Sequence, residues 1–325
     1  MPEPRLTRKR VLAAKAETTP GTAEALTAAE APFVVYDAEI QPAIDFDDRP
    51  ADQGSFSQPA GVTAGEKGTA TFTIDMISSG SGEGIDLDAP VLQFRNVQAG
   101  SRNKIDIEDI EFQLNKSAAA GDDELTITFG GLSTLPAWAA TFLPACGFVA
   151  SGRVYSPKSA APVVGGDVKT LTIGGYLDGV YKVLKGCAGT FVIRLTNAMR
   201  AKLEFTFNGV WVAPADVAIL EPTWPTLMPL RFKGSAFTLT EGSDVWTPKI
   251  SEVSIDIGNE LVMREDANES TGYVHAMIVD RKITGSMNPE AVLVATETPY
   301  ADWLYTVGST AGLLMIVWLV LRPRD

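Results

Sequence analysis

Residues 70–76 alternate without a break: Ala70, Phe72, Ile74 and Met76 fall on one side, Thr71, Thr73 and Asp75 on the other. A period of two over that length predicts a half-buried strand, with its apolar set packed and its polar set in water. The grammar recurs at 125–129, where Leu125, Ile127 and Phe129 alternate with Thr126 and Thr128. Phe191, Ile193 and Leu195 stand in step with Leu203, Phe205 and Phe207 about a turn at Asn197-Ala198, as in a hairpin with one packed face. Further strands are predicted at 33–40, at 252–257 with Val253, Ile255 and Ile257 inward, and at 274–283.

Two short helices interrupt the strands. In the first, Trp138 and Phe142 lie four apart on one face, Ser133 or Thr134 can cap, Pro136 suits the first turn, and Pro144 and Gly147 end it. The second has Thr298 as cap, Pro299 in its first turn, Trp303 as its buried aromatic and Gly308 as its terminator. Their aromatics are expected in the core.

The remaining stretches carry no such period. Residues 1–32 mix charge and alanine around a Thr-Thr-Pro-Gly turn signal, and predict an arm that is disordered or ordered only against a partner. Residues 41–66 hold Pro42, Pro50 and Pro59 with Asp45, Asp47, Asp48 and Asp52, and predict a long loop between two strands. Residues 100–122 are polar and acidic and suit a surface excursion. Pro214, Pro222, Pro225 and Pro229 mark the best internal boundary. Beyond it the order strand, polar excursion, strand, Trp-bearing helix, Gly returns, which points to two copies of one β fold. The expected organisation is an arm at 1–32, a first β module at 33–215, a Pro-rich linker at 216–230 and a second, shorter module at 231–325. The fold class is all-β dominated, a sandwich or barrel with short helices.

Composition narrows the function. The 325 residues, with 29 Gly and 20 Pro, can bury a sizeable core. A net charge of −13 excludes a protein that wraps nucleic acid with clustered cations. It still permits a surface that nucleic acid passes without sticking, because like charges repel. Cys146 and Cys187 could pair once, but a chain of this size needs no disulfide, and two free thiols in the cytosol are the default. The apolar run Val11–Ala14 is too short for a secretory segment, and Ala311–Leu321 is too short to span a bilayer.

Catalytic patterns are poor. The single histidine, His275, sits in an alternating strand with no Ser-His-Asp arrangement around it. No Cys pair, His pair or Gly-framed acidic loop offers a metal site, and the Gly clusters at 80–84 and 130–131 lack the ending of a phosphate loop. Acidic residues are plentiful, but no pair is marked out for glycosidase work. The chain is expected to be neither an enzyme nor a carrier of a cofactor.

The opening TRKRVLAAKAETTPGTAEALTAA, then KGTATFTIDM, FLPACGF, and DGVYKVLKGCAGTFVIRL followed by LEFTFNGVWVAP, resemble the tail tube proteins of long, non-contractile-tailed phages. DRKITGSMNPEAVLVAT and the Trp-bearing segment after it are similar to that family's repeated module. Against the family's compact pattern, residues 90–132 look like an insertion, and the chain stops at GLLMIVWLVLRPRD where the family continues with further strands. The resemblance implies rings whose inner sheet is a β-barrel closed between subunits, stacked into a tube through which DNA leaves the head. It implies homo-oligomeric rings, a trimer with pseudo-sixfold symmetry or a hexamer, and contact with the tape measure and tail terminator proteins. DNA would pass the lumen without specific binding, and the protein would reside in the virion tail after assembly in the host cytoplasm. On this reading Thr71, Thr73 and Asp75 face the lumen and give DNA no cationic foothold. Asp45, Asp47, Asp48, Arg49, Asp52 and Phe56 stack ring on ring. A capsid-decorating or adhesive β-sandwich protein of a virion is the alternative, and a carbohydrate-active enzyme stands third.

Overall fold

The computed structural model describes residues 9–49, 57, 59–77, 91–95, 102–107, 110–116, 123–129, 135–225, 229–232, 236–241, 244–246 and 249–290. In chain order the strands begin with β1 (Arg10–Ala16), β2 (Val35–Asp47), β3 (Val62–Asp75), β4 (Val91–Arg95), β5 (Arg102–Ile107), β6 (Ile110–Lys116) and β7 (Asp123–Phe129). After α1 (Ala137–Ala145) come β8 (Phe148–Ser151), β9 (Val154–Pro157), β10 (Leu171–Leu177), β11 (Val180–Thr196) and β12 (Lys202–Asp216). The chain continues with β13 (Ala236–Glu241), β14 (Asp244–Trp246), β15 (Ile250–Asp256), β16 (Asn259–Glu265), β17 (Tyr273–Arg281) and β18 (Thr284–Pro289). The expected all-β class with short helical elements holds.

The alternation at 70–76 is realised in the first sheet, ordered β1-β10-β11-β12-β3-β2, with β15 and β18 continuing from β11. Ala70, Phe72, Ile74 and Met76 are all buried. Phe205 lies opposite both Phe72 and Phe191, so one register carries the apolar set across three strands. β11 divides one edge between two neighbours: Val180–Cys187 pairs with β10, and Val192–Thr196 pairs with β15. A bulge between Lys185 and Ala188 falls at the end of the first stretch, with Gly186 at φ 61°. Backbone groups at the bulge and in the interval before Val192 are satisfied from outside the ladder. The Gly186 N–H donates to Glu17 Oε1 at 2.7 Å, Phe191 O accepts from the Ile257 N–H, and Gly189 O accepts from Asn259 Nδ2.

The sheet curls around its apolar face. Ile40 on β2 lies against Gly175 on β10 so closely that a Cβ there would come within 2.9 Å of it. Arg10 Nη1 on β1 donates to Ala38 O on β2 at 2.8 Å. The outer side of the β1–β10–β11 part buries Val11, Ala13 and Tyr176 under Ala31, with Leu26, Ile219 and Leu220 packed alongside.

α1 covers the apolar face as its aromatics predict. The Phe142 ring meets Phe33, Phe72, Phe205 and Phe207, with centroids 4.9 to 5.9 Å apart. Trp138 packs on Phe129 and donates Nε1–H to Ile77 O at 3.1 Å. Pro136 occupies the N-cap and not the first turn. Beyond α1 lies the second sheet, ordered β14-β13-β4-β5-β6-β7-β9-β8, whose Phe129 and Tyr155 rings meet edge to face. Phe148, on the same sheet, meets Phe191 of the first.

Four sequence expectations change here. The 1–32 arm contains β1, whose Val11–Ala14 are buried against β10 and its surroundings without any partner chain. Both ends of the 41–66 loop are strand: β2 runs on through Pro42 to Asp47, and β3 starts at Val62. Pro42 is tolerated because among the described residues β2 pairs with β3 alone and is an edge strand. The excursion expected at 100–122 supplies β5 and β6 to the second sheet. Pairing also crosses the boundary expected at 216–230, since β13 joins β4 and β15 joins β11. The helix expected at Thr298, with Pro299, Trp303 and Gly308, lies outside the described residues.

Candidate functional site

The polar side of the first sheet runs from β2 across β3, β12, β11 and β15 to β18. Because directly paired residues in an antiparallel ladder share a face, it can be followed row by row. One row runs Glu39, Thr71, Thr206, Thr190 across β2, β3, β12 and β11. The next runs Tyr36, Thr73, Glu204, Val192, Asp256, Thr284 and reaches β18. A third runs Asp75, Lys202, Arg194, Ser254, Ser286. Thr71 and Thr73 are half-buried in this face, with hydroxyl and charged neighbours on either side.

Asp75 departs from expectation. It is 5% exposed, so it is no open carboxylate beside the two threonines. Its Oδ2 accepts from Tyr36 Oη at 2.8 Å and from Arg200 Nη1 at 2.7 Å, and the guanidinium stacks 4.6 Å over the Tyr36 ring. Oδ1 is buried without a hydrogen-bond partner. Burial, then the bond to Asp75, raises the Tyr36 hydroxyl above its ordinary range. The expectation of a face with no cation is also corrected: Lys202 and Arg194 oppose each other on it, and Arg194 Nε pairs with Glu204 Oε2 at 2.6 Å.

Of the expected stacking residues, Asp45, Asp47, Asp48 and Arg49 fall at the far end of β2. Asp45 is held there: Lys67 Nζ lies 2.8 Å from its Oδ2, and the Tyr273 hydroxyl donates to the same oxygen at 2.9 Å. The Lys67 ammonium, then the Tyr273 hydroxyl, hold the Asp45 carboxyl below its ordinary range. The Glu66 N–H also donates to Thr271 O at 3.0 Å, so the segment before β17 clasps the hairpin partway along its length. Beyond the clasp Asp47, Asp48 and Arg49 are exposed, as is Phe46 at 68%. Asp52 and Phe56 lie outside the described residues.

His275 is 2% exposed and its Nδ1 lies 2.9 Å from Ala276 O, which makes it a packed strand residue. Cys146 and Cys187 are free and buried, and burial pushes both thiols far above their ordinary range. Among the described residues no group of three or more His, Cys, Asp or Glu side chains could hold a metal ion. No helix among them is long and apolar enough to cross a membrane.

Lys202, Glu204, Thr206 and Asn208 were legible as one face, because they alternate with Leu203, Phe205 and Phe207. Tyr36 and Arg200 carried no local signal, since both act on Asp75 from distant parts of the chain. Comparison with models of known protein families and with curated proteins gives no match.

Proposed function

We propose that this chain is a structural subunit that assembles as stacked rings into a phage tail tube, with the polar side of the first sheet lining the passage for DNA. The observation that carries the reading is that face: hydroxyl, amide and paired charged side chains run laterally from β2 to β18. A long wet surface fits a passage wall better than a reaction centre. Support comes also from the sheet's margins, where among the described residues β18 pairs with β15 alone and β2, though Arg10 of β1 reaches its Ala38 carbonyl, has β3 as its one ladder partner. Open edges of this kind are covered when neighbouring copies continue one sheet into a closed barrel. The distal β2–β3 hairpin, with Asp47, Asp48 and Arg49, contacts the adjoining ring. Tape measure and tail terminator proteins are the further partners on this reading, and the virion tail is the location.

A capsid-decorating or adhesive sandwich is the second reading, favoured by the packing of Phe148 against Phe191 between the two sheets. Negative-stain images of the purified chain across a concentration series separate the two. Rings or tubes are expected. A particle that stays monomeric at the highest concentration removes the tube reading.

A further inference from the structure

The polar face is not uniform along its length. Four of its cations, Arg194, Arg200, Lys202 and Arg231, stand at the end where β11 turns into β12, while toward the other end Lys67 is held by Asp45 and Lys185 lies across Val210 from it. Arg194 opposes Lys202 directly in the ladder, and two residues before Lys202, on the same side, Arg200 opposes Arg231 in an isolated bridge. Like charges placed directly opposite one another destabilise a sheet, so two such pairs at one end of a chain with net charge −13 need a physical reason. Neutralisation within the chain is partial. Arg194 is paired with Glu204, with Glu252 and Asp256 also near it, and Arg200 is paired with Asp75. Among the described residues Lys202 and Arg231 make no ion pair. Lys202 is half-buried and Arg231 exposed, and Asp75, opposite Lys202, is already engaged by Arg200 and Tyr36.

We infer that Lys202 and Arg231 form a phosphate-contacting rim at the β11–β12 end of the polar face, which meets the phosphodiester backbone of nucleic acid without reading its sequence. The inference rests on the proposed conduit and deepens it. Most of the wall offers hydroxyls and paired charges and lets a polyanion slide, while one end supplies uncompensated cations that draw it in and hold it in line. Contacts of this kind are electrostatic, so they weaken steeply with salt and ignore base composition.

The test uses the full chain, a fluorescently labelled 20-base-pair duplex and anisotropy titrations at several salt concentrations from about 20 to 150 mM, a range over which phosphate contacts change strongly. Wild type is expected to bind weakly at the lowest salt, equally for two duplexes of unrelated sequence. Lys202→Gln with Arg231→Gln is expected to weaken binding at least tenfold at that salt and to lower the salt slope by about 2, roughly one for each phosphate that is no longer neutralised. The thermal midpoint should stay level or rise, because two like-charged oppositions are relieved; a fall would assign these cations to folding and overturn the inference. Absent binding in wild type, or binding unchanged in the double variant, overturns it too. The conduit is read separately from images of the same samples. Tubes without Lys202- and Arg231-dependent binding keep the conduit and remove the rim. Dependent binding by a persistent monomer keeps the phosphate contact and removes the conduit.

Discussion

The two sides of β3 are made of neighbouring residues and yet obey different rules. On one side Phe72 stacks with Phe205 and Phe207 and meets Phe142 of α1, in a layer where no ring can shrink without leaving a void. On the other, Thr71 faces Thr206 and Glu39, and Thr73 faces Glu204 and Tyr36, in contacts that water can replace. The first side fixes what the sheet packs against. The second can change its side chains without moving what the sheet packs against. A slip of one residue in register would exchange the two, and the packed side is what forbids it.

Substitutions on each side should expose that asymmetry. Phe205→Ala, at a ring 1% exposed, should cost about 4 kcal/mol, seen as a lower denaturant midpoint with an unchanged slope. Asp75→Ala strands Tyr36 and Arg200 and should cost about 2 kcal/mol, less than for a fully enclosed pair because the Arg200 side chain is 40% exposed. At the turn closed by the Met199 N–H on Thr196 O, Ala198 sits at φ 60°, a conformation that disfavours any Cβ. Ala198→Gly should therefore raise stability by about 0.5 kcal/mol, the relief exceeding the extra freedom of the unfolded chain. Thr71→Lys with Thr73→Lys should move the thermal midpoint least, by an amount equivalent to within about 0.5 kcal/mol. A loss as large as that of Phe205→Ala would mean that the polar side is packed in its own right.

What could be read from the sequence follows the same division. The strand at 70–76 and the Trp138–Phe142 helix were legible because each has one buried side, and burial imposes a period. β1 was not, since Val11, Leu12, Ala13 and Ala14 are buried on both sides and show no alternation. The far half of β2 was hidden by Pro42 and acidic residues that an edge strand admits and a central one does not. Asp75 fits the wet side by alternation alone. Its burial depends on Arg200, whose approach is decided by how β12 meets β3 and not by anything near residue 75. Pairing across the Pro-rich stretch was likewise invisible, because prolines mark where a strand stops and say nothing of which sheet the next one joins.

The docking of β1 has a consequence for the order of events during synthesis. Leu12 meets Gly175, a partner made on the order of 160 residues later. At about 5 to 20 residues per second, β1 leaves the ribosome some 10 to 30 s before its place exists. Through that interval Val11–Ala14 is bare apolar chain for nascent-chain chaperones to hold. The first strand made waits for the tenth, and any product released before residue 171 carries an unsheltered N-terminus to the cell's proteases.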